Sequence, residues 1–541
     1  MKKITGARAM HECLKLEGVN VVFGYPGAAI CPFYDLLGEE TVRHILVRQE
    51  QNAGHAANGF AQASGKVGVC VVTSGPGATN LVTAIATAYM DSIPMVAITG
   101  QVTSGLIGSD VFQEVDITGA CEPFCKYSYL ITDVRDIPRI FKEAFYIAST
   151  GRPGPVLIDI PMDVQLAELD FEYPDGVSIR GYKPKHKGNS KQVILAANVL
   201  AQAKTPVIVA GGGVHLSDAR NQLRRLSEEC GIPVANTMMG IGVLDDDHPN
   251  KLGMIGTHGT FLANSALHKA DAVLLVGARV GDRAVAKPGQ LAARAKIIHI
   301  DIDPAEIGKN MEAHIPIVGD AKAIIDELCD RLAPIKGKYE TMTAKDDKPR
   351  VRKADAEEVG TFIEPRIFVK MLSKSMKDGS IITSDVGQNQ IWTANAFAVN
   401  GGRLLTTGGM GTMGFGIPSA VGAKTASPDL DVVAICGDGS FQMSMNEIAT
   451  IVQHNINVKI VLMNNHNLGM VRELQQKHYH GHLSQVSLAG SPDFIKLAEA
   501  FGIRAERIES MDDAQAAIDR MLTHNGPSLL ECQVFPDEPT P

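Results

Sequence analysis

Gly437-Asp438-Gly439, followed further on by Asn464-Asn465, is the set of residues in this chain best suited to chemistry. An apolar run, Asp431-Val432-Val433-Ala434-Ile435-Cys436, leads into the first group, and a helix is expected over about 442–453. Glycines at such a strand end let the backbone turn tightly and approach a ligand. Ser440 and the first helical amides then point donors at an anion. Asp438 and Asn465 are hard oxygen ligands, and Asn465 ends the next apolar run, 458–463. A magnesium ion held by few protein oxygens completes its octahedron with phosphate oxygens and water. Together these residues describe a magnesium-diphosphate site at the carboxyl edge of a parallel sheet. Asp-Gly alone is ordinary turn chemistry, so two polar-tipped βα turns are the plainer alternative, and the paired asparagines decide against it.

The spacing resembles the motif of thiamine-diphosphate enzymes, which implies Asp438, Asn465 and the backbone carbonyl of Asn467 as the metal ligands. Glu50 then acquires a task. It follows an apolar run, 44–48, and precedes a helix expected over 52–64, where a carboxylate ordinarily complements the helix dipole. Beside bound thiamine diphosphate, a carboxylate on the pyrimidine N1′ favours the imino tautomer that activates the thiazolium carbon. The cofactor carries the hard chemistry, and the protein orients it.

The elements that must position these residues fall into three α/β units. Residues 1–165 alternate apolar strands (21–24, 44–48, 68–73, 94–99, 155–161) with helices (52–64, 78–90). Continuous apolar strands separated by helices indicate a doubly wound parallel sheet. Gly75-Pro76-Gly77 opens the second helix, either as an anion-facing turn or as a plain helix start. A polar stretch, 168–191, reads as a linker, and a second unit spans 190–335 with strands at 206–210, 272–276 and 296–301. Its Gly211-Gly212-Gly213 is not GxGxxG, so a nicotinamide fingerprint is unsupported and a tight turn competes. A charged stretch, 336–358, reads as a second linker, and the third unit, 360–541, opens with a helix over 364–377 and carries Gly437-Asp438-Gly439. The first and third units share length and rhythm without an evident repeat, and ligand is expected in the crevice at their strands' carboxyl ends.

Bulk properties narrow the class. The 541 residues fit about three domains of ~150 residues. A composition 45% hydrophobic and 21% charged is that of a globular protein. A net charge of -9 argues against nucleic-acid or anionic-membrane surfaces. No apolar run is long enough to span a membrane, and the first residues lead into an amphipathic helix, so the cytoplasm is expected. Nine cysteines lack metal-site spacing, since Cys121 and Cys125 form a lone C-x3-C, and all are expected as free thiols.

Further motifs extend the resemblance: Tyr25-Pro26-Gly27, Glu50-Gln51, Thr73-Ser74-Gly75-Pro76-Gly77, Ala97-Ile98-Thr99-Gly100-Gln101, Phe112-Gln113-Glu114, Gly151-Arg152-Pro153-Gly154-Pro155, Gly387-Gln388 and Gly414-Phe415-Gly416. With the diphosphate motif, they resemble the catalytic large subunit of the acetolactate synthases over nearly the whole chain. The resemblance implies a transferase that decarboxylates pyruvate and passes the hydroxyethyl unit to a second 2-keto acid. The product is 2-acetolactate, or 2-aceto-2-hydroxybutyrate, for valine, leucine and isoleucine biosynthesis. It implies thiamine diphosphate, Mg2+ and FAD as cofactors. It also implies a homodimer or dimer of dimers, with Glu50 reaching the partner's cofactor, and a small regulatory subunit as a possible companion.

Residue by residue, the resemblance implies Met413 as the apolar prop under the bent cofactor. Pro26, Gly27, Gly387, Gln388, Gly411, Gly437, Gly439, Ser440, Gly469 and Met470 would surround its pyrimidine and diphosphate. Phe112, Gln113 and Lys126 would face the reacting carbonyl, and Arg283 would bind the second keto acid's carboxylate in bidentate fashion. Read locally, Lys126 is a solvated loop lysine, Gln113 a polar loop residue and Arg283 an exposed partner of Asp282. Gly211, Gly212, Gly213, Thr237, Met239, His258, Gly277, Arg279, Asp301 and Asp320 fall at the family's flavin positions.

The match departs in places. Leu474 stands where many relatives carry the tryptophan that favours 2-ketobutyrate, so pyruvate self-condensation is expected. Ala28 replaces a glycine, Asn467 replaces a common histidine, and relatives often continue past the equivalent of Pro541 into a tail over the site. The loop from His466 to about Ala489, with His478, His480 and His482, is a candidate lid. Paired histidines of pyruvate decarboxylases are missing from 102–135, which favours ligation over acetaldehyde release. Three alternatives stay open: a flavin- and thiamine-dependent pyruvate oxidase, a flavin-free catabolic acetolactate synthase, and a non-catalytic subunit.

Overall fold

The computed structural model describes residues 2–39, 42–332 and 362–541. Three six-stranded sheets, parallel throughout, organise it. The first has the order Arg43–Leu46, Val21–Tyr25, Gly68–Val72, Met95–Gln101, Pro155–Pro161, Tyr127–Leu130. The third has the order Arg403–Leu405, Ile381–Ser384, Val432–Gly437, Lys459–Asn464, Ser528–Gln533, Arg504–Ile508. Counted from each sheet's own first strand, both orders are 2-1-3-4-6-5, an identity that the sequence hides. The middle sheet differs: Lys251–Met254, Val234–Asn236, Pro206–Ala210, Ala272–Val276, Lys296–Asp301, Ile315–Val318, or 3-2-1-4-5-6. That is the order of dinucleotide-binding sheets.

Central strands are apolar because helices cover both faces of a parallel sheet. Met95–Gln101, Pro155–Pro161 and Lys459–Asn464 are buried along their whole length. In each sheet the winding reverses between its first strand and the next strand on the other side, and ligands bind in the crevice at such a switch point. At the carboxyl ends flanking the three reversals lie Tyr25-Pro26-Gly27 with Thr73–Gly77, Gly211-Gly212-Gly213 with Gly277–Arg279, and Asp385–Gln388 with Gly437–Ser440.

The outer domains meet through the crossing of helices Glu50–Ser64 and Gly416–Ala426. A Cβ on Gly59 would overlap the Ser419 carbonyl, and one on Gly422 the Ala56 carbonyl, so two glycines set this close approach. Their apolar residues form one core with the sheets on either side, from Val21 and Ile85 to Ile417 and Leu462.

Several expectations shift. The helix expected over 442–453 is broken into Asp438–Gln442, a 3-10 turn Met445–Glu447 and Ile448–Gln453, so helical structure begins inside the Gly-Asp-Gly turn. The expected linker over 168–191 is in part a strand, Glu168–Phe171, paired antiparallel with Lys2–Thr5, and helix Ser190–Gln202 begins at its end. The linker expected over 336–358 lies outside the described residues. Among the described residues no helix is long and apolar enough to cross a membrane, and all nine cysteines are free.

Candidate active site

The diphosphate side is built at the third sheet's switch point. Asp438 follows the strand Val432–Gly437 as the first residue of helix Asp438–Gln442 and is 2% exposed; its Oδ1 accepts the Gly439 N–H at 3.1 Å, while Oδ2 has no partner. The backbone amides of His466 and Asn467 also face this carboxylate, which brings the two halves of the motif together. Burial pushes the Asp438 carboxyl up to about 7. A buried carboxylate with one unmet oxygen suits a cation, which would restore its charged form. Asn465 Oδ1 accepts the Asn467 N–H at 3.1 Å, its carbonyl accepts Asn467 Nδ2 at 2.7 Å, and its Nδ2 donates to Gln388 Oε1 at 2.9 Å. Ser440 Oγ lies 3.2 Å from both the amide nitrogen and the carbonyl oxygen of Gly437, closing the turn.

Neighbouring glycines show how tightly this cluster is drawn. A Cβ on Gly439 would lie 2.6 Å from Leu468 and 3.7 Å from the Met413 methyl, and one on Gly469 would overlap Gln388 Oε1. Gly387, at φ 141°, opens the helix Gln388–Ala396 in a conformation glycine favours. Gly411, at φ 68°, has open space where a Cβ would sit. Met470 follows in helix Gly469–His478.

Two supports on this side are not evident from sequence. Asp385, fully buried, accepts the N–H groups of Val386, Gly414 and Gly416 at 2.8, 2.9 and 2.8 Å, and so shapes the loop carrying Met413. Gln388 Nε2 donates to Glu473 Oε2 at 3.2 Å and to the Glu538 carbonyl at 3.0 Å. The segment 536–541 thus docks on the site. Trp392 Nε1 donates to the Pro539 carbonyl at 3.0 Å, Thr540 Oγ1 to Glu473 at 2.9 and 3.0 Å, and Arg472 pairs with Asp537 at 3.0 Å. The candidate lid is anchored at its base, where Leu468 N–H donates to Val486 O and Leu488 N–H to His466 O, at 2.8 and 2.9 Å. Its residues His478, His480 and His482 are exposed.

The pyrimidine side is built at the first sheet's switch point. Glu50 is the first residue of helix Glu50–Ser64 and accepts Asn80 Nδ2 at 2.9 Å on Oε2. A Cβ on Gly77 would lie 3.6 Å from Glu50 Oε1 and would crowd Thr73, which also packs on Gly27, next to Pro26. Gly75, at φ 56°, packs against Gln113, itself at φ 60°. The Glu114 carboxylate gathers the N–H groups of Gly108, Ser109 and Val111, which lower its pKa and shape the loop so that Phe112 is 85% exposed. The helix carrying Gly77 and Asn80 meets the diphosphate side through Thr87 Oγ1, 2.7 Å from Thr412 Oγ1 in the loop between Gly411 and Met413.

Two expected residues stand apart from both clusters. The Lys126 ammonium donates to the carbonyls of Ile147 and Thr150 and to Tyr182 Oη, at 2.6 Å and 3.0 Å for the last two, and burial lowers its pKa to about 8. Held by those three acceptors, it lines a cleft of about 470 Å³ against the middle domain. In the same cleft Arg152 crosses to Asp303 and Glu306 at 3.2 and 2.8 Å. Arg283 is 80% exposed at its side chain, 3.6 Å from Asp282.

In the middle domain, Gly213 N–H donates to Gly277 O at 3.0 Å, and a Cβ on Gly211 would lie 2.5 Å from Ala278 Cα. The two turns at the switch point therefore touch. Met239 packs on Gly212 and Gly408, and Thr237 N–H donates to Ala210 O at 2.9 Å. Arg279 faces Gly409 and Asp91, where all three domains meet. Asn395 donates to the His258 carbonyl at 3.0 Å. Asp301, 8% exposed, accepts Asp303 N–H at 2.9 Å, and burial raises its pKa to about 6. Asp320 begins the last helix of the domain, accepting Ala323 N–H at 3.2 Å.

Comparison with known proteins fits this geometry. Residues 4–120, 193–328 and 385–532 match, in turn, the N-terminal TPP binding, central and C-terminal TPP binding domains of thiamine pyrophosphate enzymes. The chain is 47% identical to the probable acetolactate synthase large subunit of Methanocaldococcus jannaschii, over 99% of this chain and 93% of that protein. It is 44% identical to the acetolactate synthase large subunit of Corynebacterium glutamicum (96% and 85% covered) and to the acetolactate synthase of Arthrospira platensis (99% and 95%). The chain belongs to the acetolactate synthase large-subunit family. Acetolactate synthases are thiamine-diphosphate enzymes, and the two matched TPP binding domains are the ones that carry the Glu50 and Asp438 clusters.

Proposed function

We propose that this chain decarboxylates pyruvate and transfers the hydroxyethyl unit to a second 2-keto acid, giving 2-acetolactate in branched-chain amino-acid biosynthesis. The observation that carries the reading is the pairing of a buried carboxylate with one unmet oxygen, Asp438, with a separate carboxylate, Glu50, at the other switch point. Asp438, Asn465 and the Asn467 carbonyl would hold Mg2+ against the diphosphate, with Gly439 and Ser440 supplying close backbone approach. Bound thiamine diphosphate would supply a carbon nucleophile and an electron sink for loss of CO2. Glu50 would hold a proton at the pyrimidine nitrogen, and Met413 would fix the bend between the rings. Exposed Phe112 and Arg283, with half-buried Gln113 between Phe112 and the Gly75 turn, would order the acceptor and exclude water, which keeps a proton from reaching the transferred unit. Lys126 is proposed for the reacting carbonyl, which its ammonium would reach by exchanging the carbonyls of Ile147 and Thr150 and the Tyr182 hydroxyl for it.

A homodimer in which Glu50 serves a second copy's cofactor is the assembly that the family resemblance implies. The middle domain's strand order, its touching glycine turns and the buried strand-end Asp301 support FAD. The relatives' designation as large subunits supports a smaller regulatory partner. With Leu474 in place of an aromatic ring, pyruvate is the expected acceptor, and we assign the protein to the cytoplasm.

The test supplies purified protein with pyruvate, thiamine diphosphate and Mg2+, and follows acetolactate, acetaldehyde and flavin absorbance together. Acetolactate should dominate with the flavin left oxidised, and Glu50→Gln should lower turnover at least a hundredfold. Acetaldehyde as the main product, or a bleached flavin with acetate, would overturn the reading in favour of a decarboxylase or an oxidase.

A further inference from the structure

We propose that Glu447 is a positioning residue for Glu50, holding the turn that presents it from across the contact between the outer domains. The inference rests on the reading of Glu50 as the activating carboxylate. The chain passes from strand Arg43–Leu46 to helix Glu50–Ser64 through Val47, Arg48 and Gln49. Gln49, at the N-cap, makes no side-chain hydrogen bond to the first helical amides, so locally the turn has only the Arg48 guanidinium on the Leu46 carbonyl at 3.2 Å and the Asn52 N–H on the Gln49 carbonyl at 3.0 Å.

A further clamp comes from the third domain. Glu447 is 1% exposed and closes the 3-10 turn Met445–Glu447. Its Oε1 accepts the Arg48 N–H at 2.8 Å and Asn52 Nδ2 at 2.9 Å, two residues to either side of Glu50. Its Oε2 accepts Thr450 Oγ1 at 2.6 Å, and that hydroxyl also lies 3.1 Å from the Leu46 carbonyl. Around this carboxylate the same segment holds the rest of the turn. His454 Nε2 accepts the Leu46 N–H at 2.9 Å, and the Arg48 guanidinium reaches Gln453 Oε1 at 2.6 Å. The helix crossing at Gly59 and Gly422 joins the domains further along; Glu447 acts at the end where Glu50 sits.

The geometry separates shape from charge. A glutamine at 447 keeps an oxygen for Arg48 and Asn52. Its amide can donate to Thr450 Oγ1, whose proton then goes to the Leu46 carbonyl, so every bond survives. A leucine of similar size leaves the Arg48 and Asn52 donors unpaired in a buried place. A role confined to folding would lower stability without altering proton transfer at bound cofactor; a positioning role alters it.

The experiment measures hydrogen–deuterium exchange at the thiazolium carbon of thiamine diphosphate bound with Mg2+ to the full chain. It compares wild type, Glu50→Gln, Glu447→Gln, Glu447→Leu and Asn52→Ala, with cofactor affinity determined for each. We expect Glu50→Gln to slow exchange at least a hundredfold and Glu447→Leu at least tenfold, with cofactor Kd within threefold of wild type. Asn52→Ala should slow it about threefold, and Glu447→Gln should stay within twofold. Wild-type exchange in Glu50→Gln would overturn the reading of Glu50. Slow exchange there, with wild-type rates in Glu447→Leu and Asn52→Ala, would overturn the role of Glu447 alone. Should Glu447→Leu fail to fold, Asn52→Ala decides. Glu447→Gln as slow as a failed clamp would show that charge, not position, is what Glu447 supplies, and would also overturn the proposal.

Discussion

Asp385 supplies no atom to the proposed metal or diphosphate, yet the loop bearing Met413 takes its shape from it. The carboxylate is fully buried and gathers three backbone N–H groups from that loop and its own turn. Burial raises its pKa to about 6, while those amides pull it back down. An asparagine has one acceptor oxygen where the aspartate has two, so at least one donor would be left buried and unpaired, at a cost of about 1–3 kcal/mol. Asp385→Asn should therefore weaken thiamine-diphosphate binding by about tenfold or more, measured by titration calorimetry, while Glu50 and Asp438 stay intact. From sequence, the pairing of Asp438 with Asn465 is legible because oxygen-bearing side chains recur at the ends of successive apolar strands. Asp385 is not, since Ser384-Asp385-Val386-Gly387 reads as one more polar turn and its task lies in a loop far along the chain. The setting of Lys126 is hidden for a related reason: its acceptors at Ile147, Thr150 and Tyr182 are distant in sequence.

Between elements, the decisive contact is the crossing of Glu50–Ser64 over Gly416–Ala426. Glycine inside a helix is ordinarily worth about 0.5–1 kcal/mol less than alanine, so Gly422→Ala would look stabilising from propensity alone. Here a Cβ would overlap the Ala56 carbonyl and lie 2.7 Å from the Phe60 amide nitrogen, and overpacking costs about 1–3 kcal/mol. The second effect wins: Gly422→Ala should destabilise the protein in denaturant unfolding. His55 lies in the same contact, fully buried against the Phe415 ring at 5.4 Å, with burial lowering its pKa to about 3. A histidine that protonates near 6.5 when unfolded but resists protonation when folded stabilises fully above 6.5 and less as the pH falls toward 3. His55→Gln should accordingly gain on wild type by up to about 1.4 kcal/mol per pH unit below 6.5, read from unfolding curves across that range. The strands named from sequence were legible to within a few residues, because apolar runs and turn residues mark them, whereas short edge strands such as Tyr127–Leu130 and Arg504–Ile508 lack that mark. The helix crossing was not, because a glycine that permits close packing looks the same in sequence as one that merely weakens a helix.

At the scale of the whole chain, three parallel sheets follow from alternating apolar strands and helices, and this much the sequence shows without a template. It does not show that the outer sheets share one strand order, since order depends on which strand pairs with which and not on composition. That order has a consequence for how the protein is made. In both outer sheets the last strand is inserted between the fourth and the fifth, so Tyr127–Leu130 and Arg504–Ile508 each have a single neighbour, and it is synthesised after them. On the ribosome, each of these strands emerges before its native neighbour and must wait for Pro155–Pro161 or Ser528–Gln533 to thread in beside the core. Arg504, Glu506 and Arg507 make one waiting strand a poor template for a neighbouring nascent chain. The other, Tyr127-Ser128-Tyr129-Leu130, has no such charges, and is the more exposed to chaperones and mispairing while the first domain is still growing.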